Sequence, residues 1–72
     1  MFDKKTFGQR IRELRIKNQL TQTQLADLLH LKKTMISEIE RGNYATSLER
    51  LYILADYFNV STDYLLGRTD KK

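Results

Sequence analysis

The sequence predicts an all-α domain of five helices, and three observations carry that expectation. Apolar residues recur every three or four positions with almost no alternating run, and there is no proline to interrupt a helix. The three glycines, Gly8, Gly42 and Gly67, are too few for a turn-rich β fold. A chain of 72 residues is one small domain. It buries only about 60% of the surface that its unfolded form exposes, so most of its apolar residues go into a single core, and a large cleft enzyme is excluded.

Each element follows from a local pattern. Phe7, Ile11 and Leu14 fall at i, i+4 and i+7 with Arg10, Arg12 and Lys17 off that stripe, which reads as a first helix from about Lys5 to Asn18. Thr21-Gln22-Thr23-Gln24 matches a capping box, in which the Thr side chain takes a backbone N–H while Gln24 reaches back. The second helix starts there, with Leu25, Leu28 and Leu29 as its apolar face and Ala26 leaving room for a close neighbour. It lasts about two turns before His30-Leu31-Lys32 intervenes.

The third helix, Lys33 to Arg41, is the most informative stretch. At 100° per residue Lys33, Ser37, Arg41, Thr34 and Glu38 share an arc of about 140°, and Met35, Ile36 and Ile39 lie opposite. Gly42 then ends the helix in a left-handed conformation. The loop Asn43 to Thr46 leads to a fourth helix, capped by Thr46 or Ser47, with Leu48, Leu51, Leu54, Ala55 and Phe58 expected to face inward. Ile53 and Tyr57, stacked at i and i+4 on its far side, are expected to touch a partner, either a second subunit or a carboxy-terminal region. Ser61 caps a short fifth helix, Thr62 to Leu66, closed by Gly67. Residues 68–72 are expected to form a flexible tail, which reads equally as a natural end or as a linker.

Composition narrows the chemistry. Without cysteine there is no disulfide framework and no thiolate metal site, and the single imidazole, His30, reads as a turn residue, so no metal and no cofactor are expected. Glu38 and Glu40, two apart on a helix, do not face each other and make no acid–base pair. No stretch approaches the roughly 18 apolar residues of a membrane span, and the start, Met1-Phe2-Asp3-Lys4-Lys5, lacks the apolar run of a signal peptide. A cytoplasmic, nucleoid-associated protein is the expectation.

The net charge of +4 is unevenly placed: residues 1–20 carry +4, residues 21–42 carry 0, residues 43–66 carry −2 and residues 67–72 carry +2. A basic amino-terminal third points to a polyanionic partner. Two short helices joined by a turn, the second with a compact polar face, form a helix-turn-helix, here residues 22–41. The major groove of B-DNA, about 12 Å wide, admits one α-helix that offers hydrogen-bonding side chains outward and anchors its back to a core. Lys33 and Thr34 sit at the helix start, the end that points at base edges in this motif, with Ser37 and Glu38 one turn further on.

Four blocks resemble one family in order and spacing: Leu20-Thr21-Gln22-Thr23-Gln24-Leu25-Ala26, Met35-Ile36-Ser37-Glu38-Ile39-Glu40-Arg41-Gly42, Ser47-Leu48-Glu49-Arg50-Leu51, and Val60-Ser61-Thr62-Asp63-Tyr64-Leu65-Leu66. The chain is similar to the Cro and phage-repressor type of helix-turn-helix regulators, the Xre family, over about Phe7 to Gly67. This resemblance implies a lambda-repressor-like domain at 7–67. It implies that Gln22 reaches phosphate and outer bases, and that Lys33, Thr34 and Glu38 read bases with Ser37 on the same face. Arg41, Asn43 and Tyr44 would touch the phosphate backbone. Arg15 and Glu40 would form a structural ion pair between helices 1 and 3, and helix 5 would contact a second subunit. Two positions depart from the family pattern. His30 stands where glycine is common, and Lys32 stands where a Ser or Thr cap is common, in exchange for a possible phosphate contact.

The function so implied is a sequence-specific transcriptional regulator, a repressor rather than an enzyme, that binds a two-fold operator in double-stranded DNA as a homodimer. The rival reading is a protein-interaction module or antitoxin with the same fold, in which DNA binding is secondary.

Overall fold

In the computed structural model, which describes residues 1–72, the chain forms five helices and no strand: α1 (Lys4–Lys17), α2 (Gln22–Leu29), α3 (Lys33–Glu40), α4 (Leu48–Phe58) and α5 (Thr62–Leu65). Helix α1 begins a residue earlier than the apolar stripe suggests because Asp3 caps it, accepting from the Lys5 backbone N–H at 3.0 Å. Thr6 donates its hydroxyl to the same carboxylate at 2.7 Å. At the other end Arg15 and Lys17 occupy the last turn, where positive charge meets the negative end of the helix dipole.

The remaining starts are set by short side chains. Thr21 accepts from Gln24 N at 3.0 Å and the Gln24 amide oxygen accepts from Thr21 N at 2.8 Å, closing the capping box. Ser47, not Thr46, caps α4, and Ser61 caps α5. Helices α2 and α4 both end on a left-handed residue, His30 and Asn59.

One core unites the helices. Phe7, Ile11 and Leu14 from α1 meet Leu25 and Leu29 from α2, Ile36 and Ile39 from α3, Leu54 and Phe58 from α4, and Leu65 from α5. Gly8 sets how closely α1 approaches α3: a Cβ there would run into the Ile39 carbonyl oxygen. Glycine inside a helix costs roughly 1 kcal/mol relative to alanine, and here it buys a backbone-to-backbone crossing that no other residue permits.

Helix α4 departs from expectation in two places. Leu48, the first residue of α4, is 83% exposed, while Leu51 is only partly covered. Ile53, expected on the outer side, packs against the core, and Tyr57 is half-exposed with its ring edge-on to Phe58 at 5.2 Å. The exposed i, i+4 pair on α4 is therefore Leu48 and Tyr52, not Ile53 and Tyr57.

Residues 68–72, read from sequence as a flexible tail, lie back along the domain. The Arg10 guanidinium donates to the carbonyls of Tyr64 and Thr69, pairs with Asp70 at 2.8 Å, and stacks over the Tyr64 ring at 4.3 Å. The Ser61 backbone N–H donates to the Lys72 carbonyl at 2.9 Å. The reason is a basic side chain on α1 aimed at one carbonyl within α5 and one beyond it, a long-range pairing that no local pattern encodes.

Candidate nucleic-acid interface

The turn between α2 and α3 orients the candidate reading helix. His30 adopts φ 56°, and behind it the Leu31 N–H donates to the Ala26 carbonyl at 2.9 Å, so the chain reverses tightly after α2. From α4, Arg50 Nε donates to the Leu29 carbonyl at 2.9 Å and pins that same helix end. Sequence reasoning missed Arg50, because its partner is a backbone group on a distant helix.

Helix α3 begins at Lys33. Lys32 occupies the cap position with extended backbone and no side-chain cap bond. The back of α3 is closed by Ile36 and Ile39, both buried, while Lys32, Lys33 and Thr34 are exposed at its amino end. Ser37 and Glu38, a turn further on, are half-covered. The helix thus presents three unencumbered polar residues at one end and a partly engaged pair behind them.

The engagement of Glu38 is specific. Its Oε1 accepts from Arg41 Nη1 at 2.7 Å and its Oε2 accepts from Asn43 Nδ2 at 2.8 Å. Three residues expected to touch DNA therefore hold one another in a network across the end of α3. Tyr44 is half-exposed at a groove shared with Leu31, Met35 and Ile39.

Beneath this surface Arg15 and Glu40 form a two-pronged pair. Arg15 Nε lies 2.6 Å from Glu40 Oε2 and Nη2 lies 3.1 Å from Oε1, while Nη1 donates to the Leu20 carbonyl at 2.9 Å. Gln22 Nε2 also donates to Glu40 Oε1, at 3.1 Å. Glu40, on α3, thereby ties together the end of α1 and the start of α2, and no buried side-chain polar atom is left without a partner. No cluster of His, Cys, Asp or Glu is arranged to hold a metal ion, and no helix is long and apolar enough to cross a membrane.

An exposed polar helix amino end, a buried apolar back and a tight left-handed turn before it define a helix-turn-helix DNA-binding domain. The helix-turn-helix family matches residues 11–65, and the chain belongs to this Xre-type family of transcriptional regulators, not to an enzyme family. It is 40% identical over 64 residues to the uncharacterized HTH-type transcriptional regulator YobD of Bacillus subtilis, a match covering 89% of this chain and 57% of that protein. The chain spans about half the length of the curated relatives it matches.

Two solved structures share the fold. The P22 c2 repressor in complex with a synthetic operator superposes with a TM-score of 0.76 at 33% identity, covering 83% of this chain and 91% of that one. The restriction-modification controller protein C.AhdI of Aeromonas hydrophila superposes with a TM-score of 0.73 at 35% identity, covering 86% of this chain and 94% of that one.

Proposed function

We propose that this DNA-binding regulator is a sequence-specific repressor that binds a two-fold operator as a homodimer and acts at the nucleoid. Each subunit lays α3 in the major groove, with half-sites about one helical turn, 34 to 36 Å, apart. The observation that carries this reading is the amino end of α3, where Lys32, Lys33 and Thr34 are exposed while Ile36 and Ile39 are buried behind them. Likeness to the P22 c2 repressor, solved on its operator, supports it.

In this reading Lys33 bonds guanine O6 or N7 and Thr34 touches a thymine methyl, each good base contact discriminating by about 1–3 kcal/mol. Gln22, Lys32, Arg41, Asn43 and Tyr44 address the sugar-phosphate backbone, which fixes register without reading sequence. Repression then follows from occupancy of a promoter, with no bond made or broken.

Selection of bound sites from a random duplex pool tests the proposal. A palindromic motif is expected from the wild type, with Lys33→Ala and Thr34→Ala losing information at particular positions. An unchanged motif in both variants would overturn the placement of α3. The rival protein-interaction reading draws on one observation, the exposure of Leu48 and of Tyr52 at 71%. Binding of duplex DNA that does not weaken with salt would favour that rival, because contacts to several phosphates must release counterions.

A further inference from the structure

Helix α1 carries arginines at positions 10, 12 and 15, and two of them are already engaged. Arg10 is tied to Thr69 and Asp70, and Arg15 to Glu40 and Leu20. Arg12 is exposed and makes no hydrogen bond or ion pair within the chain. It lines a recess of about 510 Å³ together with Gln22, Ser37, Glu40 and Arg41, with no apolar residue in its wall.

The electrostatics of this recess favour an anion. Its one acid, Glu40, is compensated by Arg15 and shielded further by Gln22, and its side chain is only 4% exposed. Arg41 shares its charge with Glu38 through one nitrogen, which leaves the other donors of its guanidinium available. Gln22 gives Glu40 a single amide hydrogen and keeps its second, and the Ser37 hydroxyl adds another neutral donor. Position matters as much as charge. Ser37 and Arg41 belong to the outward arc of α3, so a duplex lying along that arc brings its backbone over the recess.

We propose that Arg12 is a DNA-contacting residue that, with Arg41, clamps a backbone phosphate at this recess, with Gln22 and Ser37 donating to the same group. The assignment rests on the DNA-binding reading above and extends the contact surface from the helix-turn-helix to α1. A guanidinium suits the role, since it forms two parallel bonds to phosphate oxygens.

Salt titration of the full chain on a mixed-sequence duplex tests the assignment, with the wild type, Arg12→Gln and Arg12→Lys compared and each variant's unfolding midpoint recorded. Arg12→Gln should flatten the dependence of log affinity on log salt by about one unit, and Arg12→Lys should restore it. The motif selected from a random pool should be the same for all three, because phosphate contacts carry no sequence information. An unchanged slope in Arg12→Gln, an altered motif, failure of Arg12→Lys to restore the slope, or loss of folded structure in Arg12→Gln would each overturn the proposal. A wild type that binds no duplex, or binds it without salt dependence, would overturn the DNA reading itself, an outcome distinct from a salt-sensitive wild type matched by Arg12→Gln.

Discussion

Arg41 Nη1 lies 2.7 Å from Glu38 Oε1, joining an acid on the outward face of α3 to a base at its end. The pair is solvent-accessible, with Arg41 66% exposed, so its net contribution to stability is small, about 0–1 kcal/mol. Its consequence lies in binding. On the proposed placement of α3, Arg41 would reach phosphate most fully when Glu38 releases it or shares it, and the carboxylate itself would repel the duplex. Glu38→Gln should therefore tighten binding to mixed-sequence DNA and steepen the salt dependence by up to about one unit, while narrowing the gap to a selected site. Affinity measured on both duplexes checks this, and weaker binding to mixed sequence would contradict it.

Glu40 turns inward to the fold, where Glu38 lies on the outward side of α3. With the Arg15 side chain 12% exposed and that of Glu40 4%, removing one partner leaves a buried charge alone. Arg15→Ala or Glu40→Ala should cost about 3–5 kcal/mol in denaturant unfolding. The double variant should fall well short of the summed losses, since both remove one interaction. Additive losses would show the pair to be energetically idle.

His30 occupies a backbone conformation suited to glycine. At φ 56° a side chain costs roughly 1–2 kcal/mol, against about 0.5–1 kcal/mol for the extra entropy that glycine loses on folding. His30→Gly should thus raise stability modestly, by about 0.5–1 kcal/mol. A lower unfolding midpoint would mean that the exposed imidazole has a stabilising role of its own.

The Asp3 carboxyl is held below its ordinary pKa of 3.8, first by the Thr6 hydroxyl and then by the Lys5 backbone N–H. A depressed folded-state pKa means that the ionised cap stabilises α1 at neutral pH, and that this support disappears as pH falls from 3.8 through the lower folded-state value. Asp3→Asn should show a smaller loss of stability over that acid range than the wild type. An NMR titration placing the Asp3 midpoint at or above 3.8 would refute the assignment.

Sequence legibility followed the range of the interaction. Where a side chain bonds its own neighbours, as Thr21 does with Gln24 and Ser61 does with Tyr64, the element boundary is written locally. The outward face of α3 is equally legible, because Ile36 and Ile39 fix the helix rotation and the 3.6-residue period does the rest. Gly8 against Ile39, Arg50 on the Leu29 carbonyl and Arg10 on the Thr69 carbonyl are through-space pairings with backbone, which no spacing rule reveals. Leu48 misled because apolar periodicity reports a helix face and not whether neighbouring helices extend to cover its first turn.

The missing side chain at Gly8 has an evolutionary corollary. Because main chain rests on main chain where α1 crosses α3, the depth at which α3 sits is independent of the residues it displays. On the proposed placement of α3, operator preference could then drift by exchange of Lys33 or Thr34, which hold no partner within the chain, without retuning the scaffold that carries them, whereas a change at Glu38 would also release Arg41 and Asn43.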